Sequence, residues 1–194
     1  MLRNCLTGKG QIRRPFAVQP GSGVDVQRSY DDPSEFVCVG TLGEVPKQLR
    51  KPFKCPIGNV GDVFAVGERI FYYFHDDRYT YEDGETCTAL QRCRPRRRRS
   101  VGAKNMPKMA ARFHFRIVAV FAHRLGELAE GDAQHEGVDR IEYGPFEVGG
   151  VPVHPRTSTY AEAFLEKWAI HVDPGWIKSD WVWAAAIEPV AVRR

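Results

Sequence analysis

The stretch RFHFRIVAVFAHRL, residues 112–125, is the feature that most constrains the fold. It opens with Phe113, Phe115 and Ile117 at alternate positions and His114, Arg116 and Val118 between them. A period of two places these sets on opposite faces, which is the mark of a half-buried β-strand. Other segments read the same way. EFVCVGTL predicts a short strand around residues 36–39. DVFAVGERIFYYF predicts a longer strand, entered through a tight turn at Pro56, Gly58 and Gly61. SDWVWAAAIEPV predicts a closing strand rich in aromatic and β-branched residues.

Helical signals are fewer and shorter. LRNCLTGKGQIRR reads as a short helix running into a turn at Gly8 and Gly10, and GELAEGDAQHEGV as a short helix closed by Gly137. In STYAEAFLEKWAI, Thr159 and Glu162 fit a capping box, while Ala161, Phe164, Leu165 and Trp168 recur at helical spacing. No βαβ rhythm and no internal repeat is present. Mostly strands with two or three short helices predicts an α+β chain, a small mixed β-barrel forming a single domain over residues 1–194. Residues 75–104 have low core content and switch from acidic to basic, so they predict an inserted, flexible basic hairpin or loop.

Charge is unevenly spread. Between Thr86 and Gly126 stand eleven Lys or Arg and no Asp or Glu, on a chain whose formal net charge is only +4. The remainder is therefore net acidic. A segregated positive segment suits phosphates or another acidic partner; a solvated basic loop is the plainer alternative. The run RPRRRR ends five residues before NMPKMAAR, which in turn leads into the strand at 112–125.

Five cysteines, Cys5, Cys38, Cys55, Cys87 and Cys93, read as free thiols. The Cys87 to Cys93 gap exceeds zinc-site spacing, and no second pair follows, so no metal and no cofactor is expected. No apolar run is long enough to span a membrane, and the first residues lack the apolar core of a secretory signal. The expectation is a soluble cytoplasmic protein without membrane contact. No Gly-rich phosphate loop, no HExxH and no Ser-His-Asp pattern stands out in the sequence, and a triad is not readable from residue order.

Five blocks, in order, resemble the ASCH-domain family, whose fold is PUA-like, and in particular the long ASCH proteins of phage and prophage genomes. MLRNCLTGKGQIRRP is similar to the opening M-x-R-x-x-L-x-G-x-K-T-x-T-R-R-P, and KCPIGNVGDVFAVGE to C-P-Y-G-x-x-G-D-x-L-W-V-R-E. NMPKMAAR resembles H-M-P-R-W-A-S-R, LAEGDAQHEGV resembles I-S-E-x-D-A-x-x-E-G-I, and WIKSDWVWAAAIEPV resembles W-x-x-N-P-W-V-W-V-I-x-F. The resemblance implies a PUA-like barrel that binds RNA, a nucleotide or a modified nucleoside in a positively charged cleft, in the host cytoplasm if phage-encoded. It also implies two alternatives: a nucleoside-modifying hydrolase of the N4-acetylcytidine amidohydrolase kind, or a ribonuclease. A phage accessory module for protein contacts is the further alternative.

Carried over residue by residue, Lys9 and Glu136 occupy the family's catalytic Lys and Glu positions. The catalytic Thr position falls on Ile12, a hydrocarbon that can neither attack a carbonyl nor relay a proton. Gln11, Arg13, Arg14, Glu68, Lys108 and Arg112 are the implied ligand-binding residues. Met109 stands where the family shows Trp, Asn105 where it shows His, and Ala111 where it shows Ser. Each candidate has a plainer reading: Lys9 with Glu136 as a structural ion pair, the arginines as solvated surface. Trp181 and Trp183 share a strand face, either as core or as a base-stacking platform.

Overall fold

The computed structural model describes residues 10–41, 43–73, 75, 77–93, 100–140, 146–148, 151–152, 159–172 and 174–191. Along these the chain runs through β1 (Gly10–Pro15), β2 (Asp25–Arg28), β3 (Glu35–Val39), β4 (Phe53–Lys54), β5 (Val63–Ala65), β6 (Ile70–Tyr73) and β7 (Arg78–Tyr81). Then follow α1 (Thr88–Cys93), β8 (Ser100–Val101), β9 (His114–Arg124), α2 (Glu130–His135), β10 (Val138–Arg140), β11 (Phe146–Val148), β12 (Val151–Pro152), α3 (Tyr160–His171) and β13 (Trp181–Pro189). The chain is thus mixed α+β, mostly strand with short helices. It divides into two compact units, Met1–Asp62 with Arg116–Glu188, and Val63–Phe115 with Pro189–Arg194.

The first unit is organised by β13, which lies between β1 and β9. It pairs antiparallel with β1, setting Arg13 opposite Ala184 and Gln11 opposite Ala186. Residues 181–185 are buried without a break, because both faces of the strand are covered. On one face Trp183 stacks on Phe16 at 4.4 Å and takes the edges of Phe36 at 4.8 Å and Phe53 at 5.8 Å. On the other, Val182 joins Leu125, Leu128, Ala133, Val138, Ala163, Phe164 and Trp168, the core contributed by the helices. Trp181 and Trp183 are therefore core residues, 4% and 3% exposed.

Local signals explain the helix ends. Thr159 caps α3, its hydroxyl accepting from the Glu162 N–H at 3.1 Å. The Glu130 carboxylate accepts from the Tyr160 N–H at 2.7 Å and secures the same helix start. Gly137 ends α2 at φ +86°, a conformation that side chains other than glycine rarely adopt.

Three expectations are corrected. The turn expected at Gly10 is instead the start of a strand, residues 10–15, whose six backbone positions pair in register with β13, and the helix expected ahead of it lies outside the described residues. The expected single strand across DVFAVGERIFYYF is two, β5 and β6. Between them Gly67 packs on Ala103 so tightly that a Cβ would sit 2.3 Å from the Ala103 carbonyl oxygen. Residues 75–104, where described, carry the core of the second unit. Here β7 and β8 flank β6, and Tyr79, Tyr81, Cys87 and Leu90 pack with Ile70, Tyr72 and Ala110. Tyrosine and cysteine supply that core, so a count of aliphatic residues misses it. Residues 94–99 lie outside the described residues.

Replacing Trp183 by Ala should lower unfolding free energy by roughly 3–5 kcal/mol, since an aromatic surrounded by three others leaves a large cavity. Met109→Ala, at a position 64% exposed, should change it by less than about 0.5 kcal/mol. Urea denaturation of the two variants beside the parent measures both.

Candidate functional site

In β1, strand alternation turns Gln11 and Arg13 to one face and Ile12 and Arg14 to the other. The buried face is the polar one. It faces α2, and the small Ala184 and Ala186 opposite leave room for two long side chains. The Arg13 side chain has no exposed surface. Its Nη1 donates to Glu136 Oε1 at 2.5 Å, its Nε donates to His123 Nε2 at 3.1 Å, and its Nη2 lies 3.4 Å from Asp132 Oδ2. Gln11 Nε2 donates to the other Asp132 oxygen at 2.9 Å, and the Phe164 ring lies 5.8 Å from the guanidinium carbon. Glu136 is placed by the end of α2, where its N–H donates to the Asp132 and Ala133 carbonyls. Asp132, one turn earlier, shares its face.

Burial pushes the Glu136 carboxyl up to about 7 from 4.5, against the pull of the Arg13 charge. Burial also pushes His123 down, and the neighbouring Arg13 adds to it. Neutral His123 then accepts the Arg13 hydrogen bond, which imidazolium would forbid. Arg13 Nη2 and Gln11 Oε1 make no hydrogen bond among the described residues, a donor and an acceptor left open inside one buried node.

A second constellation lies in the second unit. Arg112 is clamped bidentately by Glu68, Nη2 to Oε1 at 2.5 Å and Nε to Oε2 at 3.1 Å. Its Nη1 reaches Asp83 at 2.8 Å and Glu85 at 2.6 Å, and its guanidinium carbon sits 3.9 Å from the Tyr81 ring centre. Three carboxylates hold this arginine charged and raise its pKa, Glu68 first among them. The same bond to Arg112 keeps Asp83 ionised. Beside it is a cleft of about 330 Å³, lined by Thr86, Thr88, Lys108, Met109, Arg112 and His114 among others. The segment KMAAR forms one of its walls, and Tyr81 donates to the Ala110 carbonyl at 2.6 Å to hold that wall in place.

The residues expected from sequence thus fall into two groups. Gln11, Arg13 and Glu136 meet in the first unit; Glu68, Lys108 and Arg112 belong to the second. Arg14 is exposed, turned away from Arg13. Lys9 lies outside the described residues. Asp132, His123, Asp83 and Glu85 are partners that the sequence reading did not name. Asp132 carried a signal, its spacing of four from Glu136; His123, Asp83 and Glu85 carried none.

Among the described residues no group of three His, Cys, Asp or Glu is arranged to hold a metal. Cys38, Cys55 and Cys87 are free thiols, and burial pushes the Cys38 and Cys55 thiols up, away from reactivity. No described helix is long and apolar enough to cross a membrane. Comparison with protein-family models, curated proteins and solved structures finds no match to this chain.

The node has a pH signature. With its folded pKa raised, Glu136 contributes stability that is complete below 4.5 and is lost as pH rises through about 7. His123, depressed, acts oppositely: its contribution is present above 6.5 and is lost as pH falls. The two slopes oppose each other between 4.5 and 6.5, and Glu136 acts alone above. Denaturation of the parent should show stability falling between about pH 6.5 and 8 by roughly 1 kcal/mol. Glu136→Gln should flatten that fall, and His123→Gln should extend it to lower pH.

Proposed function

We propose that the chain is a nucleic-acid- or nucleotide-binding protein of the PUA-like, ASCH-domain kind, and that it binds rather than transforms its ligand. The observation that carries this reading is the cleft walled by KMAAR. Its volume suits one nucleotide-sized group. Its lining brings polar residues from different segments of the chain together, Thr86 and Thr88 from one and Lys108 from another. Met109, exposed at this wall, offers a soft, polarisable surface to the face of a base.

Lys108 is the cation assigned to a phosphate. Arg112 is the positioning residue: its charge is met by Glu68, Asp83 and Glu85, so it shapes the wall instead of gripping an anion. The arginines at 94–99, outside the described residues, add long-range attraction for a polyanion by their charge alone. Binding should weaken steeply as salt rises.

Hydrolysis of a modified nucleoside is the second reading, and the Glu136 carboxyl near neutrality favours it, since a general acid or base works best close to the working pH. Two features weigh against it. Arg13 occupies the carboxylate, and the position of the family's hydroxyl nucleophile is Ile12, turned to the far face of β1.

Fluorescence titration with single-stranded RNA tests the binding reading. Lys108→Ala should weaken binding several-fold and lower the slope of log K against log salt by about 0.7, one phosphate contact on a single strand. Salt-independent binding would count against the electrostatic mechanism. In parallel, N4-acetylcytidine should survive incubation with the protein; release of acetate that Glu136→Gln abolishes would establish the hydrolase instead.

A further inference from the structure

We propose that a second cleft, in the first unit, between Arg28 and the turn at residues 58–60, is a binding site for a phosphate group. The cleft has a volume of about 250 Å³, and its lining includes Arg28, Ser34, Phe36, Gly58, Asn59 and Val120. Arg28 and Arg112 each line a cleft. Arg112 is met by three carboxylates, whereas Arg28 pairs with no carboxylate among the described residues.

Arg28 is nonetheless held in place. Nη1 donates to the Pro33 carbonyl at 2.5 Å, Nη2 donates to the Val120 carbonyl, and the guanidinium carbon lies 5.1 Å from the centre of the Phe36 ring. These contacts use two of the five N–H groups of the fork and leave three. A fixed, uncompensated guanidinium binds an oxyanion with little further loss of side-chain freedom.

Asn59, also in the lining, carries a neutral donor. Asn59 is oriented by its own N–H, which donates to Asp62 Oδ2 at 2.8 Å, and its side-chain amide has no partner among the described residues. Two carboxylates of the surrounding loops are hydrogen-bonded within those loops. Asp32 accepts from the Ser34 N–H at 2.8 Å and from its hydroxyl, which holds its pKa down, and Asp62 is taken by the Asn59 N–H. A tetrahedral group, with oxygens in several directions, can meet the fork and the amide together.

This site rests on observations separate from those behind the nucleic-acid reading. The shared chemistry is a phosphate group, whether of inorganic phosphate, a nucleotide or a polynucleotide backbone. Two-dimensional amide NMR of the full chain, titrated with inorganic phosphate, tests it. Saturable shifts of Ser34, Asn59 and Val60 are expected, weakened at least about tenfold by Arg28→Gln, as for loss of a charge-assisted contact. Arg28 also ties β2 to β9, so Asn59→Asp serves as the second variant. It lies on an exposed turn, leaves the tie intact, and should weaken phosphate about as much by like-charge repulsion. Absence of shifts at those amides, or parental affinity in a folded Asn59→Asp, overturns the site. Titrations with a nucleoside monophosphate and with an oligonucleotide lacking a terminal phosphate then distinguish the sources: shifts with both assign the backbone diester, and shifts with the first alone assign a phosphate monoester.

Discussion

Arg13 carries a permanent charge where its side chain has no contact with water. Burying an ion without partners costs several kcal/mol at least, so the first unit is arranged to answer it. The carboxylates come from α2, the acceptor imidazole from β9, and the flanking ring from α3. Pairing of β1 with β13 delivers the arginine to that spot, and alanines opposite it make the space. Removing Glu136 or displacing α2 leaves a charge buried with too little to balance it. The node therefore couples the end of a sheet to the end of a helix.

The arginines of this chain divide by what meets them. Arg13 is met by two acids inside the unit, Arg112 by three acids beside the cleft, Arg116 by Glu188 on the surface. Arg124 and Arg28 are met by backbone carbonyls, Arg124 by those of Ser179, Ser22 and Val24. A carbonyl fixes an arginine in position without cancelling its charge. That is why a basic segment on paper is a poor guide to available positive potential: Arg112, Arg116 and Arg124, all inside the acid-free stretch 86–126, are each committed within the fold. Of Lys108 and Arg112, which both line the cleft in that stretch, Lys108 is the exposed one and makes no ion pair among the described residues.

Much of the scaffold was legible. The alternation at 113–118 marked β9, the Thr159–Glu162 capping box marked the start of α3, and Gly137 marked the end of α2. The candidate chemistry was legible only as a list of residue types. Gln11, Arg13 and Glu136 were named and stand together, while their partners Asp132 and His123 were not. Strand and helix signals depend on neighbours within a few residues. Arg13 meets Glu136 across 123 positions of chain, and no local period reports such a pairing.

By itself the sequence determined where the period-two runs lie, where α3 begins and α2 ends, and how much charge each segment carries, since all three follow from spacing and composition. Only the tertiary structure decided that β1 turns its polar face inward, that the tyrosines and cysteine of 75–104 are a core, and which carboxylate meets which arginine. Those outcomes depend on the sums of burial and Coulomb energy between segments far apart in the chain, and such sums take values only when the segments are packed.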